Sequence, residues 1–191
     1  MFPRVVIICA VLVVLPFLDS VFGQEVHAIC NVQPDPKSSQ KVTGSIKFVQ
    51  APGQQMSIDV DISGLDPVDA GTPDVKFLHG FHVHEYGDTT GGCTSTGGHF
   101  NPRGVSHGGP TDAVRHPGDF GNLKQDPSGQ IVTSFHDPVA TLFGVESIIG
   151  RAIVLHGGVD DLGKGGDAGS VANGNAGPRL GCCVIGYAKN V

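Results

Sequence analysis

The sequence predicts an all-β domain, a sandwich or barrel of eight short strands, and three observations carry that prediction. Eight runs of alternating or β-branched residues are separated by turn signals. No long stretch of helix formers shows a 3.6-residue apolar period. Glycine is abundant, at 29 of 191 residues, which favours turns and loops over packed helices.

The chain begins "MFPRVVIICAVLVVLPFLDSVFG", with one positive charge at Arg4, an apolar run reaching Leu15 and small residues near Gly23. The run is about 14 residues long and a spanning helix needs about 20, so residues 1–23 read as a secretory signal peptide and not a membrane anchor. Cleavage before Gln24 would leave 24–191 as one domain of 168 residues, long enough for a real core.

Within that domain the strand-like runs are "EVHAICNV" (25–32), "VTGSIKFVQ" (42–50), "QMSIDVDIS" (55–63), "FLHGFHVHE" (77–85), "FGNLKQ" (120–125), "QIVTSFHD" (130–137), "RAIVLHG" (151–157) and "CCVIGYAK" (182–189). "APGQ" (51–54) and "DPSG" (126–129) are Pro/Gly turns of the kind that close hairpins. Two connections, 86–119 and 158–181, are too long to be turns, Gly-rich and nearly free of aliphatic residues. Long loops in compact domains are usually functional or disordered, and the three histidines, the aspartates and Cys93 of the first favour order imposed by metal and a disulfide.

A net charge of −6 without a Lys/Arg cluster argues against nucleic acid or an anionic membrane as partner. The end "GYAKNV" has no basic run and no hydrophobic tail, so neither heparin binding nor a lipid anchor is expected. Cys9 would leave with the signal peptide; Cys30, Cys93, Cys182 and Cys183 would stay. An even number in an oxidising compartment favours two disulfides, with three pairings open. Cys182 and Cys183 on a strand would face opposite ways and so bond different partners.

The stretch "HGFHVHEYGD" (79–88) holds three histidines. His82 and His84, two apart on a strand, project from one face with Cα atoms about 6.6 Å apart and can converge on one metal. A second cluster, His99, His107, His116 and Asp119, offers three imidazoles and a carboxylate, the set a structural zinc requires. His156 ends "RAIVLH" and could complete the first site, where four imidazoles suit copper. His79 is expected to be structural, bonding loop backbone behind the site, and His27 and His136 to be surface or strand residues.

These residues carry a resemblance that covers the chain from about Glu25 to Ala188. "GFHVHEYGD", "GGCTS", "GGHFNP", "HGGP", "RHPGDFGN", "DDLGKGG", "GNAGPRLGC" and "VIG" stand in the order found in copper/zinc superoxide dismutases, and the chain resembles the secreted type. The resemblance implies an eight-stranded Greek-key β-barrel or sandwich of immunoglobulin-like architecture with two long functional loops. It implies copper on His82, His84, His99 and His156, and zinc on His99, His107, His116 and Asp119, with His99 bridging both ions. Asp160 would accept from the rings of His82 and His107; its neighbour Asp161 is expected to be solvated. Arg179 would be the arginine that attracts and orients the anion beside copper. Cys93 would pair with Cys182, and Cys30 with Cys183.

The implied activity is dismutation of superoxide to oxygen and hydrogen peroxide outside the cell, copper carrying the electrons and His99 a proton. A homodimer or higher homo-oligomer is expected, joined through the outer faces of the first and last strands. Three departures from the family pattern stand out. The second loop lacks the usual lysines, which leaves Arg179 and Lys164 and predicts a shallower field. Asn173 stands where a threonine often narrows the channel, and 66–77 is an enlarged surface loop expected to leave the metal sites untouched. Two rivals are weaker. A copper carrier would need transferable thiolates, yet no Cys-x-Cys or Cys-x-x-Cys occurs; a zinc hydrolase or lyase would leave the second cluster unexplained.

Overall fold

Alternation in the strands translates directly into an inside and an outside. The computed structural model describes residues 23–69 and 71–189; the expected signal peptide, except Gly23, lies outside them. The strands are β1 (Val26–Pro34), β2 (Thr43–Gln50), β3 (Met56–Ser63), β4 (Leu78–His84), β5 (Asp119–Lys124), β6 (Ile131–Asp137), β7 (Ala152–His156), β8 (Arg179–Val184) and β9 (Gly186–Tyr187). Ala28, Cys30 and Val32 of β1, Ile46 and Phe48 of β2, and Met56, Ile58, Val60 and Ile62 of β3 all point into one core.

The strands form one antiparallel sheet in the order β5-β4-β7-β8-β1-β2-β3-β6, with β9 pairing β1. Its two end strands approach each other, and Phe120 of β5 meets Phe135 of β6 edge-on with ring centroids 5.7 Å apart. The result is the expected all-β, nearly closed eight-stranded barrel with Greek-key connections. The last strand starts earlier than the sequence predicts and breaks at Ile185. There the backbone turns toward β7: Ile185 N donates to Arg151 O at 2.9 Å, and Gly150 N donates to Ile185 O at 2.8 Å.

Strand β4 is buried on both faces, which an exposed barrel strand would not be. Phe81 and Val83 enter the core, while His82 and His84 point outward under the two long loops. In β7 the same division puts Ile153 and Leu155 inside and His156 outside. The loops are ordered by polar contacts rather than apolar burial. The first contains a 3-10 turn at Gly92–Thr96 and is clamped to β8 by Cys93–Cys182. The second contains a short helix, α1 (Ala168–Asn173), which the apolar pattern does not reveal. Asp167 caps it by accepting from Ser170 N at 2.9 Å, and Gly174 ends it in the left-handed region at φ 68°. The second disulfide, Cys30–Cys183, joins β1 to β8 inside the core.

Candidate metal centre

Three segments meet above the outward face of β4 and β7. His82 and His84 lie on β4, His156 ends β7, and His99 comes from the first long loop, where it bridges to His84 in antiparallel fashion. The second group, His107, His116 and Asp119, spans the end of that loop and the start of β5. The structure brings together His82, His84, His99 and His156, and separately His99, His107, His116 and Asp119, with the candidate ligand atoms of each set within 4.8 Å of one another. His99 belongs to both.

Which nitrogen faces inward is decided by what holds the other. His82 Nε2 donates to Asp160 Oδ2 at 2.8 Å, leaving Nδ1 buried without a partner. His84 Nδ1 donates to Gly97 O at 3.0 Å and His156 Nδ1 to Gly177 O at 3.1 Å, and their two Nε2 atoms face each other at 3.3 Å. His99 turns Nδ1 toward Asp119 Oδ1 at 3.1 Å and leaves Nε2 unpartnered. The first set therefore presents His82 Nδ1 and three Nε2 atoms, each a lone pair with no proton donor opposite it.

The second set converges on Asp119 Oδ1. His99 Nδ1, His107 Nδ1 and His116 Nδ1 lie 3.1, 3.0 and 3.2 Å from it. His107 Nδ1 is close but off the hydrogen-bond direction and is unsatisfied, because its Nε2 is already committed to Asp160 Oδ1 at 2.8 Å. His116 Nε2 donates to Val105 O at 3.0 Å. Buried polar atoms without partners are rare, and several aimed at two points fit the demands of two cations. Four imidazole nitrogens suit copper, and three with a carboxylate suit zinc. The third grouping of possible ligands, His82, His107 and Asp160, is the hydrogen-bonded tie between the sites rather than another metal site.

Electrostatics agree with that division. Burial pushes His99 down to about 4, against the opposing pull of Asp119, and pushes His156 down to about 3. His84 is likewise held well below its usual range, first by burial and then by its histidine neighbours. His84, His99 and His156 are thus neutral and ready to bind a cation. Burial alone would lower His107 too, but the adjacent carboxylates of Asp119 and Asp160 outweigh it and raise the ring to about 9. Burial opposes ionisation of both carboxylates, yet their histidine partners hold them below the usual carboxylate range.

Arg179 begins β8 beside this centre, half-buried. Its Nη1 donates to Cys93 O at 2.5 Å and Thr96 Oγ1 at 3.0 Å, and its Nη2 to Gly97 O at 2.6 Å. Gly97 O also receives His84 Nδ1, so one carbonyl positions both the guanidinium and a ring of the four-histidine set.

Several sequence expectations change. Asp161 is not merely solvated: it accepts from Ser170 Oγ at 2.7 Å, Asn175 Nδ2 at 2.9 Å and Gly163 N at 3.0 Å, holding the second loop in shape. Lys164 pairs with Asp112 of the first long loop at 3.4 Å. His79 bonds backbone as expected, but the acceptor is the carbonyl of His156, at 2.9 Å. Its other nitrogen meets Gln125 Oε1 at 2.7 Å, and Gln125 donates to Asp66 O at 3.0 Å. The enlarged 66–77 loop is therefore linked to His156 through two side chains. Such ties run through backbone carbonyls and carry no sequence signal. Gly174 is a further site residue: a Cβ there would collide with the Asp160 carboxylate and the His107 ring.

Comparison with known proteins places the chain beside one family. Residues 42–185 match the family model described as copper/zinc superoxide dismutase. The Cu-Zn superoxide dismutase of Paramecium bursaria Chlorella virus 1 is 52% identical over 148 residues, covering 78% of this chain and 74% of the viral one. That of Cordyceps militaris is 47% identical over 165 residues, covering 86% and 99%. That of Schizosaccharomyces pombe is 50% identical over 153 residues, covering 80% and 94%.

Proposed function

The chain belongs to the copper/zinc superoxide dismutase family, and from that premise we propose that it dismutates superoxide to oxygen and hydrogen peroxide, outside the cell, with His82, His84, His99 and His156 holding copper and His99, His107, His116 and Asp119 holding zinc. The observation that carries the reading is the His99 ring, with Nδ1 in one set of donors and an unpartnered Nε2 in the other. Copper supplies the one-electron chemistry when bound, zinc having none.

The protein's own part is positioning and proton handling. Arg179 attracts a small anion and orients it beside the four-histidine set, held in place by three oxygens of one loop. His99 Nε2 faces that set with no protein donor opposite it, so a proton can be held there and passed to a departing peroxide. Asp160 keeps His82 and His107 from rotating, and so makes the shape of one donor set depend on the other.

The extracellular part of the reading rests on the apolar leader at 1–23 and on two disulfides, which suit an oxidising compartment. Two copies would pair through the outer faces of the first and last strands, where Val184 is 39% and Tyr187 71% exposed. An assay of superoxide decay on the metal-loaded protein, with metal analysis and sizing of the same sample, tests all of this. One copper and one zinc per chain with rapid decay is expected. Zinc alone, accompanied by hydration or hydrolysis, would overturn it.

A further inference from the structure

The approach to Arg179 is short of positive charge. In the second long loop, Lys164 is engaged by Asp112. Near the guanidinium there is also a fixed negative charge: Asp35 is buried and close enough to oppose, by its charge, the effect of burial on Arg179. Asp35 serves the fold. Its Oδ2 accepts from Cys93 N at 2.7 Å, its Oδ1 accepts from Lys37 N at 2.7 Å, and its own N donates to Leu180 O at 2.9 Å. It therefore locks the β1–β2 connection against the disulfide loop and the start of β8, and leaves an anion beside the Arg179 guanidinium.

Two residues further on, the same connection supplies a cation. The Lys37 backbone is fixed by Asp35, and its Nζ reaches across to Thr94 Oγ1 at 3.2 Å, in the turn whose Cys93 and Thr96 hold Arg179. Lys37 and Arg179 line one open groove of about 490 Å³, together with Asp35, Thr94 and Pro178. No carboxylate pairs with Lys37 among the described residues; Thr94 is a neutral partner and leaves the ammonium charge uncancelled.

We infer that Lys37, carried on the β1–β2 connection, is the second steering cation of this enzyme, guiding superoxide along the groove toward Arg179 and offsetting Asp35. The inference rests on the dismutase reading above for the identity of the anion, but not for the field itself. Fixed charges along a cleft raise the local concentration of an oppositely charged substrate, and salt suppresses the effect. A unit charge acting through water over about 10 Å changes that concentration about twofold, and charge reversal about fourfold.

The test compares the wild type with Lys37→Gln, Lys37→Glu and Lys37→Arg, each loaded with copper and zinc. At about 0.01 M ionic strength, where the Debye length is about 30 Å, the second-order rate of superoxide decay is expected to fall about twofold in Lys37→Gln and about fourfold in Lys37→Glu. Lys37→Arg should retain the wild-type rate, and all four should converge near 1 M salt, where screening is nearly complete. A second readout needs no turnover. In the reduced, diamagnetic protein, relaxation of the amide protons of residues 94–97 by an anionic nitroxide should exceed that by a cationic one, and Lys37→Gln should reduce the ratio. Equal rates at low salt with an unchanged relaxation ratio would overturn the inference. A wild type without dismutase activity but with the expected relaxation contrast would instead remove the dismutase reading and leave Lys37 as an anion-attracting residue.

Discussion

His82 and His107 donate to opposite oxygens of one buried carboxylate, each at 2.8 Å. One ring belongs to the four-histidine set and the other to the zinc-like set. Asp160 therefore couples the two sites on the side away from His99, so the centre is closed by two links, one through an imidazole and one through a carboxylate.

Replacing Asp160 with Asn tests that second link. An amide offers one acceptor where the carboxylate offered two, so one ring must lose its tie and its fixed orientation. Losses of this kind typically cost 10- to 100-fold in metal affinity. Zinc affinity should fall by about that factor, read by competition with a chromophoric chelator, and the copper(II) spectrum should shift as His82 loosens. Unchanged zinc affinity together with an unchanged spectrum would show that Asp160 carries neither ring.

Proton linkage makes a second prediction, for the metal-free protein. His107 is raised from 6.5 to about 9, so its interaction with Asp119 and Asp160 contributes fully below 6.5 and is lost as pH rises through about 9. His99 and His156 are lowered to about 4 and 3, so their neutral burial contributes above 6.5 and is lost as pH falls through those values. The depressed carboxylates act in the same direction on the acid side. The melting temperature should therefore peak near neutrality and decline on both sides. Zinc must displace the His107 proton, so its affinity should rise about tenfold per pH unit between 6.5 and 9. A flat profile across that range, corrected for the chelator's own titration, would refute it.

A third prediction concerns how the first long loop is anchored. Arg115, next to His116, donates through Nη2 to Asp137 Oδ2 at 2.7 Å, and both side chains are buried. Asp137 in turn accepts from Val139 N at 2.8 Å and Ala140 N at 2.6 Å. Removing one partner leaves the other buried and uncompensated, at about 3–5 kcal/mol. Asp137→Asn should lower the melting temperature on the order of 10 °C and weaken zinc retention. Replacing both residues with apolar ones should restore most of the stability, since no stranded charge remains. A single variant as stable as the double one would disprove the account.

The contrast between ligands and their supports marks what the sequence could reveal. His82 and His84 were readable because a strand has period two, and the His99, His107, His116 and Asp119 group because three imidazoles and a carboxylate cluster within one loop. The orientation of each ring was not. Gly97 O, Gly177 O and Val105 O are backbone acceptors, identical in chemistry to every other carbonyl of the chain. Helix α1 was hidden for another reason: Asp167 and Gly174 are ordinary cap residues, but "AGSVAN" between them has no apolar stripe to announce a helix. The reversal of the two lysines is a matter of distance. Lys164 is close to Arg179 in the chain yet pairs with Asp112, while Lys37 is far away in the chain and shares its groove.

The two disulfides should separate stability from activity. Cys30–Cys183 lies in the barrel core and joins β1 to β8 without reaching the loop that holds the guanidinium, whereas Cys93–Cys182 holds the loop whose Cys93 O and Gly97 O position Arg179. Both close long loops, with sequence separations of 153 and 89 residues, so each restricts the unfolded chain, by about 2–5 kcal/mol. Replacing Cys30 and Cys183 together with Ala should lower the melting temperature and leave the rate of superoxide decay of the metal-loaded protein within about twofold of wild type at 25 °C. Replacing Cys93 and Cys182 together with Ser should cost comparable stability and, in addition, lower the rate and flatten its dependence on salt, because a displaced guanidinium no longer dominates the local field. If the second pair could be removed with the rate and its salt dependence intact, Arg179 would not owe its position to that disulfide, and the hydrogen bonds to Thr96 and Gly97 would have to suffice by themselves.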